Sequence, residues 1–314
     1  MPAPPRPVVE FDRPTPTARS PRPPGVRYDH LARTPNRRWY RAPLGFVLLV
    51  VLGCMVLPVL VSLGVFLLAT TIGLQLDPKG ALPPAWSEAE TLLAIAAMLP
   101  ALLIVVWLVE GRRRWGTLSS VTGRLRPGWL ALCLLPAVII TVGAMVVGAA
   151  LQPTTTPLVD WSGFLGVVIV SLLLTPLQAA AEEYVFRGWL VQAFGAFVRT
   201  PWPGILVSAA LFATMHAGAT DSVWGAVDLL VFAIVLSVVT IRTGGLEAAI
   251  AMHVVNNSVV SVTSAASGTT ESSADYSAYE PTMLALPVLT LVLYGATVMV
   301  LARRRGIATR GEPS

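Results

Sequence analysis

Residues 44–72 read LGFVLLVVLGCMVLPVLVSLGVFLLATTI, a stretch without a single charged side chain. A helix needs about 20 apolar residues to cross the roughly 30 Å hydrocarbon core of a bilayer. The stretch therefore predicts a transmembrane helix. Seven similar runs follow along the chain, so we predict an all-α polytopic bundle of about eight transmembrane helices. The eight runs are 44–72, 92–109, 129–151, 164–181, 205–217, 223–241, 246–262 and 283–301.

The composition of the chain excludes the soluble and the disordered classes of protein. Of the 314 residues, 54% are hydrophobic and 12% are charged. A soluble domain carries roughly 25% charged residues, so this chain cannot cover a water-facing surface of ordinary size. Its formal net charge is +5, but the basic residues are spread along the chain. We therefore expect a lipid bilayer, and no nucleic acid, as its surroundings.

Basic and acidic residues alternate between the polar connections. Arginines precede the first run, follow the second, fourth and sixth runs, and end the chain; Arg187 and Arg199 are those that follow the fourth. Acidic residues dominate the other connections. Because cytoplasmic connections carry the excess of Lys and Arg, this pattern predicts that both termini are cytoplasmic. We expect a multi-pass protein of the plasma membrane.

The chain is predicted to have a flexible arm, a helical bundle and a short tail. Residues 1–41 contain ten prolines and nine arginines and have no apolar periodicity, which predicts a disordered cytoplasmic arm. Residues 42–306 are assigned to the bundle, with its functional core at about 164–262. Residues 307–314 are assigned to a cytoplasmic tail.

Ionisable residues within apolar runs are expensive and therefore indicate function. Three groups of this kind occur on three separate predicted helices: EEYVFR at 182–187, FATMH at 212–216 and HVVNN at 253–257. Together they can bring carboxylate, imidazole and amide groups to one region of the membrane. This is the candidate site.

Helical geometry suggests different tasks for the two glutamates. Glu183 and Arg187 have the i,i+4 spacing of an ion pair on one helix face. Glu182 points about 100° away from Glu183 and is left without a local partner. A desolvated carboxylate beside imidazole can serve as a general base. His253 and Asn257 also share a face, and both can donate hydrogen bonds to a developing oxyanion.

The three motifs resemble the signature of the CPBP family, also called the Abi or CAAX type II protease family. The matching pattern is EExxxR, FxxxH and HxxxN in this order. The resemblance implies an intramembrane endopeptidase that acts on a membrane-associated or CAAX-like peptide or protein. It also implies that Glu182 activates water with help from His216, that His253 and Asn257 form an oxyanion hole, and that Glu183 and Arg187 support the site.

The metal requirement and the functional class are left open by the residues. Glu182, His216 and His253 could form a His₂Glu zinc site, but a glutamate bound to metal could not also be the base. We therefore favour a mechanism without a cofactor. A non-catalytic immunity or scaffold protein and a proton-coupled transporter are the alternatives. Counted from a cytoplasmic helix end at Arg187, Glu182 lies ~8 Å deep, which predicts an opening toward the cytoplasm.

Overall fold

Helices are the regular elements of the part of the chain that the structure describes. The computed structural model describes residues 25–33, 38–77, 79–111, 113–151, 161–216, 222–266 and 281–311. Over these ranges the chain forms no strand, only two isolated bridge pairs. The predicted all-α class is therefore confirmed.

Twelve α-helices follow one another along the described ranges, and two turns of π-helix interrupt them. The π turns are Val51–Val56, between α1 and α2, and Tyr184–Leu190, between α7 and α8. The α-helices are α1 Arg41–Val50, α2 Leu57–Thr71, α3 Pro84–Ala96, α4 Met98–Val109, α5 Gly116–Ser119, α6 Pro127–Leu151, α7 Trp161–Glu183, α8 Val191–Gly195, α9 Trp202–Met215, α10 Val223–Thr243, α11 Glu247–Ala266 and α12 Ala285–Arg304.

Each of the eight predicted runs coincides with a helical segment, but not every segment is long and apolar enough to span a bilayer. Among the described residues, six helical stretches are long and apolar enough to cross a membrane: Arg41–Thr71, Pro84–Val109, Pro127–Leu151, Gly163–Gly195, Val223–Thr243 and Pro281–Arg304. Helix α9 is apolar but shorter, and α11 is not among the six. Six spans are thus supported by length and composition, and the count of eight stays a prediction.

Helix α11 lies at the centre of the bundle. It packs against α6, α7 and α10, while α7 also packs against α3 and α10 packs against α9 and α12. The faces turned toward these neighbours form one large apolar core that includes Leu102, Trp189, Phe212, Leu236 and Tyr294. This packing brings the ends of α7 and α9 next to α11, and these are the helices that carry the three motifs.

Residues 25–33 of the predicted arm are packed on the bundle, which corrects the prediction of disorder for this part. Tyr28 is fully buried, and its hydroxyl donates a hydrogen bond to the carbonyl of Leu118. Burial raises the pKa of Tyr28 well above its ordinary value, so the phenol stays protonated as a donor. The sequence does not reveal this segment. Residues 1–41 are rich in proline and arginine, and a single buried tyrosine produces no apolar periodicity. Residues 1–24 lie outside the described ranges.

The same segment pairs with residues from the predicted C-terminal tail. The Gly25 amide donates to the Gly311 carbonyl at 2.7 Å, and the Gly311 amide donates to the Val26 carbonyl at 2.9 Å. Arg33 reaches the end of α8 and donates to the carbonyls of Gly195 and Val198 at 2.8 and 2.7 Å. Hydrogen bonds therefore join the two ends of the described chain, residues 25–33 and 307–311, on one face of the bundle.

We expect Tyr28→Ala to lower the free energy of unfolding by about 3 kcal/mol, because it leaves a large cavity where an aromatic ring was fully buried. Thermal unfolding in detergent measures the change. The matched control is Tyr40→Ala, since Tyr40 is 40% exposed. Equal stability of the two variants would show that the packing of Tyr28 does not stabilise the fold.

An ion pair fixes the start of α11. Arg126 donates from Nε to Glu247 Oε1 at 2.8 Å and from Nη2 to Glu247 Oε2 at 2.7 Å, and its Nη1 donates to the Ala308 carbonyl at 3.0 Å. Bidentate pairs of this kind impose a defined geometry. Gly244 ends α10 with a φ of 71°, which permits the tight turn into α11. The pair therefore positions the helix that carries His253 and Asn257.

Candidate active site

The EEYVFR motif lies where α7 passes into a turn of π-helix. Glu182 and Glu183 end α7, and Arg187 lies inside the π turn. Single π turns within α-helices are frequent at functional sites. The helix then continues as α8, so Arg187 belongs to the continuous stretch Gly163–Gly195.

Arg187 therefore lies within a helix. This corrects the prediction that it belongs to the polar connection after the fourth apolar run. It has no exposed surface, and its Nη1 donates to Glu183 Oε1 at 2.9 Å. The predicted i,i+4 ion pair is present. The guanidinium carbon also lies 4.4 Å from the centre of the Phe212 ring, within the range of a cation–π contact. The burial of Arg187 is not evident from the sequence, because a charged residue usually marks the end of an apolar run.

His253 lies between the two glutamates. Its Nδ1 is 2.7 Å from Glu183 Oε1, and its Nε2 is 3.2 Å from Glu182 Oε2. The second contact is close, but Glu182 Oε2 makes no well-aligned hydrogen bond to any described residue. Since Glu183 Oε1 contacts both Arg187 and His253, Glu183 is the anchored glutamate and Glu182 is the less constrained one.

His216 is the residue that ends α9. Its Nδ1 lies 2.8 Å from the carbonyl of Phe212, and its ring is 4.5 Å from the Phe212 ring, measured between centres. When Nδ1 carries the proton and donates to this carbonyl, Nε2 of the neutral ring is an acceptor. The FxxxH motif is thus a local unit in which Phe212 holds the imidazole and also contacts Arg187.

Asn257 belongs to a short chain of side-chain amides. Its Nδ2 donates to Gln178 Oε1 at 3.1 Å, and its Oδ1 accepts from Asn256 Nδ2 at 3.3 Å. Both atoms of the Asn257 amide are thereby oriented, and one N–H of Nδ2 stays available. The sequence motifs assign no role to Gln178 or Asn256. The available signal was the i,i+4 spacing of Gln178 and Glu182 on α7.

The predicted residues meet at a cavity of about 390 Å³. Glu182, His216, His253 and Asn257 line it, whereas Glu183 and Arg187 lie behind its wall. The remaining lining is mostly apolar. The other lining residues are Thr91, Leu92, Ile95, Gln178, Phe212, Asp228, Leu229, Phe232, Met252, Asn256, Val260, Ser261, Pro287, Thr290 and Leu291. The cavity therefore combines one carboxylate of the motif, two imidazoles and several amides with an apolar surface.

The structure places Glu182 further from the end of its helix than the sequence predicts. The helix of Glu182 ends at Gly195 rather than at Arg187, so Glu182 lies ~20 Å from that end at 1.5 Å per residue. Lining residues on α3, α10 and α12 lie in the first half of their spans, which the predicted topology places away from the cytoplasm. A cytoplasmic opening stays a prediction.

The proposed His₂Glu metal set is not assembled in this arrangement. Among the described residues, no three His, Cys, Asp or Glu side chains form a group that could hold a metal ion. Glu182, His216 and His253 line one cavity, but both ring nitrogens of His253 face carboxylate oxygens. A metal ligand needs a nitrogen lone pair directed at the ion. These contacts do not fit a zinc site, so no catalytic step is assigned to a metal.

The sequence motifs and their geometry agree with a comparison against protein-family models. Residues 161–259 match the family described as type II CAAX prenyl endopeptidase Rce1-like. Over these residues the chain resembles the CPBP family, as the three motifs predicted. The match covers about a third of the chain and closely follows the predicted core of 164–262.

Two bacterial relatives resemble parts of the chain. The chain is 35% identical over 100 residues to the "Uncharacterized protein YyaK" from Bacillus subtilis (strain 168), covering 31% of this chain and 33% of that protein. It is 29% identical over 156 residues to the "Uncharacterized 24.3 kDa protein" from Escherichia coli, covering 48% of this chain and 70% of that protein. No solved structure matched the chain.

Proposed function

We propose that this protein is an intramembrane endopeptidase that hydrolyses a peptide bond of a membrane-associated or CAAX-like substrate. One observation carries the proposal above the others. Glu182 lines the cavity beside His253, while its neighbour Glu183 is held behind the wall by Arg187. A carboxylate that faces a largely apolar cavity beside an imidazole, and is not paired with an arginine, suits a general base.

In this proposal Glu182 takes a proton from a water molecule in the cavity. The water oxygen bonds to the carbonyl carbon of the peptide, and the carbonyl oxygen becomes an oxyanion. Glu182 then delivers the proton to the amide nitrogen as the C–N bond breaks, so that a carboxylic acid and an amine are formed. The acceptor Nε2 of His216 can receive a hydrogen bond from the same water.

The contacts favour a revised division of labour for His253. The resemblance assigned His253 and Asn257 together to the oxyanion hole, but both ring nitrogens of His253 are directed at Glu182 and Glu183. We assign His253 the task of holding Glu182 in position. Asn257, with one N–H not used by Gln178, is then the principal donor to the oxyanion.

Asn257→Ala is expected to lower kcat by about 10²–10³-fold with little change in KM, because it removes a donor that acts mainly on the transition state. Steady-state kinetics on a membrane-anchored peptide measure both constants. Asn257→Asp is the second variant, since it keeps the size of the side chain but has no N–H to donate. A rise in KM at constant kcat would assign Asn257 to substrate binding instead.

The function itself is tested by peptide release from purified full-length protein in detergent. The substrates are a farnesylated CAAX-type peptide, the same peptide without the prenyl group and an unrelated transmembrane peptide, with Glu182→Ala as the control. Release that depends on Glu182 supports the proposal, and the panel identifies the substrate class. If wild-type protein releases no product from any peptide, the immunity or scaffold alternative replaces the enzyme.

A further inference from the structure

Asp228 is a carboxylate in the cavity that the reaction described above does not use. It lies on α10 and lines the same cavity as Glu182. Its Oδ1 atom is buried, and no described residue donates a hydrogen bond to it. A buried carboxylate oxygen without a donor is costly, so such a group is expected to have a partner that the protein alone does not supply.

The charges around the cavity show what kind of partner is missing. Glu182 has His253 beside it, and Glu183 has Arg187. No ion pair joins Asp228 to another of the described residues, and none of those that line the cavity is Lys or Arg. Leu229, its neighbour in the chain, is apolar. The cavity therefore presents one negative charge that a cationic occupant would neutralise.

The distance of Asp228 from the reacting groups follows from its helix. Phe232 lies one turn further along α10, and its ring centre is 5.3 Å from that of His253. Four helical residues advance by ~6 Å. An extended peptide advances by ~3.3 Å per residue. Together these distances amount to at most ~11 Å, so a group bound at Asp228 would be within about three residues of the bond that is cleaved.

We propose that Asp228 forms a subsite for a cationic group of the substrate, located within about three residues of the scissile bond. The group is an ammonium or guanidinium, supplied by a Lys or Arg side chain or by a free amino terminus. The inference rests on the proposed peptidase function, because the site assigned to Glu182 and His253 defines the reference point. It names a substrate class that the family resemblance does not specify.

The test compares matched peptides that differ only in charge. Lysine is paired with acetyl-lysine, and arginine with citrulline, at each of the three positions on either side of the cleaved bond. A second set compares free with acetylated amino termini, which separates the two sources of the cation. For each pair we measure kcat/KM and, independently, equilibrium binding by fluorescence anisotropy with full-length protein in detergent.

We expect wild-type protein to prefer the cationic member by at least about tenfold at one of these positions, because close charge pairs contribute at least that much to affinity. Asp228→Asn should bring the ratio close to one, and Asp228→Lys should invert it in favour of a glutamate peptide. The matched control is Glu90→Gln, which removes a carboxylate that does not line the cavity and should keep the preference.

Failure of this inference is distinguishable from failure of the proposed function. If wild-type protein cleaves peptides without any charge preference, or if Asp228→Asn slows both members of a pair equally, Asp228 is not a cation subsite. If no peptide is cleaved, the peptidase proposal fails and the binding ratios still decide the inference. The preference of wild-type protein for the cationic peptide is measured without any variant. The inference can therefore be tested even if Asp228→Asn does not fold.

Discussion

Glu182→Gln is expected to reduce turnover by about 10²–10⁴-fold while leaving the fold intact, because glutamine keeps the shape of glutamate but cannot accept a proton from water. The environment of Glu182 makes this substitution mild for the structure. Its Oε2 has no aligned hydrogen-bond partner among the described residues, and the side chain borders the cavity. Single-turnover cleavage of a membrane-anchored peptide measures the rate, and thermal unfolding measures the stability.

The control for Glu182→Gln is Glu90→Gln, which also replaces a glutamate by glutamine but at a position that does not line the cavity. This variant should cleave the peptides that the Glu182 variant does not. Turnover of Glu182→Gln near that of wild-type protein would mean that another group activates the water.

Glu183→Gln is expected to lower both stability and activity. Glu183 Oε1 contacts Arg187 at 2.9 Å and His253 at 2.7 Å, and all three side chains are buried. Removing one partner of a buried ion pair costs about 3–5 kcal/mol, because the remaining charge is left uncompensated. Activity should fall as well, since His253 loses the contact that orients it toward Glu182. Thermal unfolding and peptide cleavage are measured on the same preparation.

The double variant Glu183→Gln with Arg187→Met separates charge compensation from catalysis. Replacing both members of a buried pair removes the uncompensated charge and is far less costly than breaking the pair. We expect the double variant to recover most of the lost stability and little of the activity. If stability is lost equally in both proteins, the effect of Glu183 does not arise from its pair with Arg187.

The sequence predicted the elements whose signals are local. Apolar runs marked every helix that carries a motif, including the short α9, and the ionisable residues within or next to these runs marked the site. The ion pair of Glu183 and Arg187 was predictable because both residues belong to one helix, where spacing determines proximity. The chemistry of the three motifs therefore followed from short stretches of chain.

Contacts between distant parts of the chain were not predictable in the same way. The hydrogen bond from the Tyr28 hydroxyl to the Leu118 carbonyl joins two segments that are 90 residues apart in the chain. The position of His253 between Glu182 and Glu183 likewise depends on how α11 packs on α7, which no periodicity encodes. The helix that contains Arg187 is longer than its apolar run predicts. A charged residue usually ends such a run, but here an anionic partner and an aromatic ring permit the burial of Arg187.

The most direct test of the central claim is the mass of the product that wild-type protein forms from a membrane-anchored peptide in H₂¹⁸O, with and without a metal chelator. Our account predicts a new carboxyl terminus that carries one ¹⁸O atom, formed at the same rate in both conditions and absent with Glu182→Gln. A product without ¹⁸O, an equal yield from Glu182→Gln, or activity that is lost in chelator and restored by zinc would contradict it.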